Sequence, residues 1–341
     1  MATPPSASAC LSRRTCRVSA AGAEGRLAHL AYDPRFVTGF QIVPELSVVV
    51  VGFAKGDHVS TGTLTSRHAV LGEVRTEDAR YWAMAPAAVG EVIDALEALT
   101  HITDYGPDTI LRGRAAMVPS HFLPVAVRRA LDTTGGLVVL KLASLAGAGS
   151  VLLGRRSRTA QIAGAGLIFS SRWLGDLRNP YGRDGSDQMS GLIAGYRLVT
   201  AAVPNAEASD DLFLRAVSAQ TFVSYLASGL AKLVGSSWQS GEALDQVLQT
   251  RQYGQSPAAR LIREHPPLAR LLTWFTIAWE TGFPVVYLLP PNRARLALTG
   301  VKAFHLGIAA TMGLPRFFWG FSSAHAAVEY VIAQKRGGHD R

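Results

Sequence analysis

The stretch Phe222-Val-Ser-Tyr-Leu-Ala-Ser-Gly-Leu-Ala-Lys232-Leu-Val-Gly carries one charge in fourteen residues. An ammonium held there in a bilayer would cost roughly 3 kcal/mol or more. A group that costly is by default a functional candidate. Desolvation disfavours the charged form of an amine, and a neutral lysine amine is a competent general base. The competing reading is a lysine that snorkels to the interface, which the six residues separating it from Trp238 would allow. Glu280 and His305 sit in two further apolar stretches. A carboxylate in such a place needs a partner or a proton. Each of the two is also a plausible packing contact on its own. Lys, Glu and His on three apolar helices are nevertheless expected to turn toward one polar interior, so Lys232, Glu280 and His305 form the candidate catalytic set. Asp187, in the polar loop Asn179–Met189, is a further candidate polar site, or the cap of the helix that follows.

These residues depend on helices to place them. From Pro86 to about Ile102, apolar positions follow three-four spacing. Seven apolar runs follow, at 135–153, 159–174, 186–203, 211–234, 269–289, 295–314 and 317–333. Two or three approach the ~20 residues that a bilayer crossing needs, and the others are marginal. A soluble all-helical bundle is the alternative, but the runs at 269–289 and 295–314 are apolar around most of the helix, which a surface-facing soluble helix is not. Pro284 is expected to free a backbone carbonyl near Glu280. Residues 236–268 read as a long loop. The fold class expected is therefore all-α: an integral membrane bundle of about six or seven apolar helices. Residues 86–335 form it, residues 1–80 are poorly structured or of unknown fold, and 336–341 are a tail.

Composition agrees. The chain has 341 residues, 48% hydrophobic and only 17% charged, against about 25% charged in soluble domains. The net charge of +9 fits nucleic acid or an anionic surface. The arginines lie in short clusters between apolar runs, which favours the lipid bilayer as partner and argues against nucleic acid. A multi-pass protein of the cell membrane is expected. Loop charges are divided, and Arg155, Arg156 and Arg158 contradict the orientation that the other loops suggest. Cys10 and Cys16 are the only cysteines, so neither a disulfide framework nor a metal site is expected. Residues 1–26 resemble a transit peptide in composition, or an unstructured start. Leu46–Ala54 reads as one buried strand. His101, His121 and His325 look isolated.

The order of features resembles the HTTM family, membrane proteins related to vitamin K-dependent gamma-carboxylase. Tyr225-Leu-Ala-Ser-Gly-Leu-Ala-Lys-Leu-Val-Gly-Ser-Ser-Trp238 carries the likeness, with Trp279-Glu-Thr-Gly-Phe-Pro284, Phe304-His-Leu-Gly307 and the loop Asp184–Met189 in order after or before it. The likeness covers about residues 86–335. It implies a helical membrane bundle in which Lys232 matches the base that deprotonates a reduced quinone. The carboxylase has two adjacent lysines where this chain has Ala231-Lys232, and a histidine near the position of Gly185–Gln188. Its large lumenal domain has no counterpart up to Arg341, so gamma-carboxylation of proteins is not expected. Two functions remain open: base chemistry on a quinol or other lipid-soluble substrate, or a non-catalytic role in maturation, export or immunity of a partner peptide or protein.

Overall fold

Side-chain caps and prolines fix where the helices begin. In the computed structural model, residues 75–117, 123–179 and 181–337 are described, and their regular elements are all helical. They are α1 (Thr76–Trp82), α2 (Ala85–Thr100), α3 (Val125–Asp132), α4 (Thr134–Leu153), α5 (Arg158–Arg178), α6 (Gly185–Thr200), α7 (Ala206–Val234), the short α8 (Ser236–Gln239) and α9 (Ala243–Leu248), α10 (Pro257–Glu264), α11 (Pro266–Gly282), α12 (Pro291–Met312) and α13 (Pro315–Gly337). Thr133, Ser157, Asn205 and Ser256 each accept a first-turn amide with the side chain, as N-caps do. Prolines open α2, α10, α11 and α12, where the missing N–H is not needed.

The expected helices are present with boundaries a few residues different. Two segments differ more. Helix α1 begins at Thr76, inside the stretch read as poorly structured or of unknown fold, and the stretch read as one loop holds α8, α9 and α10. The expectations for residues 1–26, the strand at 46–54, Cys10, Cys16 and His121 lie outside the described residues.

Helix α13 packs against α1, α2, α6, α7 and α12, and α4 lies between α2 and α5. The α4–α5 contact is close because both helices present glycine. A Cβ on Gly164 would stand 2.6 Å from the Gly147 carbonyl oxygen, and one on Gly147 2.8 Å from the Gly164 oxygen. The larger apolar core joins Met84, Val151, Ile168, Met189, Ile193, Phe213, Leu214, Val217 and Ala327. The smaller one joins Tyr225, Phe283, Val286, Leu298, Val301 and Val328. Each large apolar side chain so buried contributes about 1.5–3 kcal/mol.

Among the described helices, α4 alone is both long and apolar enough to cross a membrane by itself; six or seven were expected. The difference has a physical source. Helices α5, α6 and α7 carry Arg172, Arg197, Asp210 and Lys232, whose side chains turn inward and pair there. Charge that lowers a helix's own apolarity is thus turned onto partners inside the bundle. Helix α11 stops at Gly282 and passes into a 3-10 turn over Phe283–Leu288, with Pro284 at its start.

Candidate functional site

Lys232 lies in the last turn of α7 and is only 2% exposed. Its Nζ donates to Glu280 Oε2 on α11 at 2.6 Å and to Ser228 Oγ at 2.6 Å. The Trp238 ring centroid stands 5.1 Å from the same nitrogen. Lys232 therefore does not snorkel to water; the ammonium is turned into the bundle.

The pair forms because α7 and α11 come close at Gly229. A Cβ there would lie 2.5 Å from the Thr281 backbone nitrogen and 2.9 Å from the Glu280 carbonyl carbon. Since backbone is what it would strike, Gly229→Ala is expected to push the helices apart and cost about 1–3 kcal/mol. A thermal or denaturant unfolding curve checks this. An unchanged midpoint would mean that the contact is looser than described.

The described hydrogen bond of His305, on α12, goes to Tyr225 rather than to Glu280. His305 reaches α7 through Tyr225, seven residues before Lys232 and so on the same face of the helix. The Tyr225 hydroxyl lies 2.6 Å from His305 Nε2 and 3.0 Å from His325 Nε2. His325, which looks isolated in the sequence, is thus a buried partner in this cluster. One hydroxyl has one proton, so Tyr225 donates to one imidazole and accepts from the other. With both rings neutral, they hold opposite tautomers. The Nδ1 atoms of both histidines are buried without a hydrogen-bond partner among the described residues. One is then a free donor and the other a free acceptor. Rings enclose them: Tyr225 stacks on Phe283 at 4.0 Å between centroids, and His305 on Phe321 at 4.5 Å. Phe283 follows Glu280 by three residues, at the start of the 3-10 turn that continues α11, so it links the aromatic cluster to the ion pair.

Asp187 belongs to a different place. The cap of α6 is Asp184, whose side chain accepts the amides of Ser186 and Asp187, while Asp187 at N3 accepts the Asp184 amide in return. The expected cap role of Asp187 is therefore only half of a reciprocal capping box. Its other oxygen takes Arg172 Nη1 and, at 2.8 Å, Arg316 Nη1. Arg172 also donates to Glu91 at 2.8 Å, and Lys141 to Asp94 at 2.6 Å. This network borders a cavity of about 200 Å³ lined by Glu91, Asp94, Tyr105, Ser171, Arg178 and Asp187, among others. Burial raises the Tyr105 phenol above its ordinary value, and the Asp94 carboxylate adds to that while Arg316 and Arg178 oppose it.

The structure thus joins Lys232 directly to Glu280, joins His305 to the same helix through Tyr225, and puts Asp187 elsewhere. Among the described residues, no group of three or more His, Cys, Asp or Glu side chains is placed to hold a metal ion. No protein-family profile, curated protein or solved structure matches this chain.

Proposed function

We propose that the chain is a membrane-embedded helical-bundle protein of HTTM type that abstracts a proton from a quinol, or from another lipid-soluble acid, at Lys232. One observation carries this: a buried Lys232 Nζ lies 2.6 Å from Glu280 Oε2. A proton passing between those atoms turns an ion pair into a neutral amine and a neutral carboxylic acid. The exchange leaves the net charge of the pair unchanged, so low-dielectric surroundings favour it rather than oppose it. The amine so formed takes a proton from an acidic hydroxyl, leaving the ammonium and the substrate anion, and Glu280 then releases its own proton to solvent, which restores the ion pair. The unpartnered Nδ1 atoms of His305 and His325, set among stacked rings, suit an aromatic diol. The outward apolar surface, with Leu153 91% exposed, suits a lipid setting.

A second reading keeps the protein in the membrane as a non-catalytic partner in peptide or protein maturation, export or immunity. Ser228, Glu280 and Trp238 already surround the ammonium, as they would if the pair served only to clamp α7 to α11.

Membranes holding the protein, supplied in air with reduced quinones, separate the two. Quinol consumption above the protein-free rate is expected for the wild type. Lys232→Ala and Lys232→Arg are expected to lose at least roughly 100-fold, the size of a general-base contribution. The arginine variant keeps the positive charge but cannot release its proton. Equal consumption by all three proteins would remove Lys232 from any mechanism and leave the clamp.

A further inference from the structure

Three guanidinium groups meet one carboxylate where α1, α5, α6 and α7 come together. Asp210 receives Arg80, Arg197 Nη1 at 2.8 Å and Arg158 Nε at 3.4 Å. Three positive charges face one negative, so the cluster carries an excess of two. Of the further acids on these helices, Asp78 pairs with Arg155, Asp211 with Arg215 and the Tyr330 hydroxyl, and Glu207 is exposed in the first turn of α7. Among the described residues, the other hydrogen-bond partners of these arginines are neutral. Arg80 donates to Gln161 at 2.8 Å, and Arg158 to Ser209 at 2.6 Å.

A second observation points at a missing anion. Arg197 is 0% exposed, yet its Nε and Nη2 have no hydrogen-bond partner among the described residues, and Arg158 Nε has none beyond its 3.4 Å ion pair with Asp210. Leaving buried charged donors unmade is costly, and Asp210 has only two oxygens to offer. The arrangement also has a way in, because the Arg158 side chain is 27% exposed. Arg158 is the first residue of α5, so the partial positive charge of that helix end adds to the field. Planar guanidinium forks suit a tetrahedral oxyanion that accepts several donors at once.

We propose that Arg80, Arg158 and Arg197 seat a phosphate oxyanion, reached from the exposed side of Arg158. The phosphate can be a lipid headgroup or free in solution. The surroundings fit the lipid source, since Trp82, Leu153 and Val199 are exposed at the ends of α1, α4 and α6. Neither version depends on Lys232 being a base.

The test uses the full chain in a maltoside detergent, which contains no phosphate, and reads the thermal unfolding midpoint. Sodium phosphate is titrated against sodium chloride at equal ionic strength. In parallel, phosphatidic acid in mixed micelles is compared with oleate, an anion without phosphate. Phosphate and phosphatidic acid are both expected to raise the midpoint, and a rise with phosphatidic acid alone assigns the seat to a headgroup. Arg158→Ala is expected to need roughly tenfold more ligand for the same rise, the effect of one charge-assisted fork. Arg158→Lys should fall between, because it keeps the charge and loses the fork. Arg156→Ala, at an exposed neighbour, should respond like wild type. A midpoint moved by neither phosphate source, moved equally by chloride or oleate, or moved equally in Arg158→Ala overturns the proposal.

Discussion

Replacing Glu280 by alanine is expected to destabilise the protein by about 3–5 kcal/mol, the cost of leaving a buried charge without its partner. Lys232 is the charge that would be stranded. It is almost fully buried, and the Ser228 hydroxyl and the Trp238 ring beside it carry no charge to replace the carboxylate. Lys232→Met should cost less than Glu280→Ala. Methionine fills most of the lysine volume, and Glu280, 7% exposed as a residue, is less deeply enclosed than Lys232. The double variant Lys232→Met with Glu280→Leu should recover most of the loss, because a buried ion pair replaced by apolar residues of like size is often neutral or stabilising. Denaturant unfolding in detergent gives all three values. A loss below about 1 kcal/mol for Glu280→Ala would be the behaviour of a solvated surface pair. That outcome would place the pair in water. The same series bears on chemistry: a double variant that is stable but inert would show the pair is kept for proton transfer rather than for holding α7 to α11.

How far this pair could be read in advance depends on what made it visible. Lys232 and Glu280 stand out because a charge in an apolar run must find a partner, and cost alone brought them together. Tyr225 and His325 carry no such mark, since a tyrosine or a single histidine in a helix is ordinary packing material. A usable signal did exist. Tyr225, Ser228 and Lys232 are spaced by three and four, which puts them on one face of α7. The helical spans were legible from apolar runs. Helix α10 was not, although Ser256-Pro257 is a cap followed by a proline, because a helix of two turns has too few apolar positions to show a period. The number of helices long and apolar enough to cross a membrane by themselves, one among the described residues, was the least legible feature. Arg172 and Arg197 read as breaks in apolarity, and only the packed bundle shows that each turns inward onto a carboxylate, Arg172 onto Glu91 and Asp187 and Arg197 onto Asp210.

Arg172→Ala is expected to cost about 3–5 kcal/mol, and Arg316→Ala about 1.5–3 kcal/mol, the worth of hydrogen bonds to charged groups. A tally of contacts gives the opposite order. Arg316 lies within ion-pair distance of Asp94, Glu97, Asp184 and Asp187, whereas Arg172 reaches Glu91, Asp94 and Asp187. Burial decides otherwise. The Arg172 side chain is 8% exposed against 16% for Arg316, and the Glu91 side chain that Arg172 serves is 1% exposed. Without Arg172, Glu91 keeps only the Ser144 hydroxyl at 2.7 Å, which cannot balance a charge. Without Arg316, Asp94 keeps Lys141 and Arg172, and Asp187 keeps Arg172. Adding Glu91→Gln to Arg172→Ala should therefore restore part of the loss, because a neutral amide needs no counter-charge. Glu91→Gln with Arg316→Ala should restore nothing, since no ion pair or hydrogen bond joins those two side chains. Coupling in the first pair and its absence in the second, measured as double-mutant cycles, would show that the stranded Glu91 carboxylate, and not the number of ion pairs lost, sets the penalty.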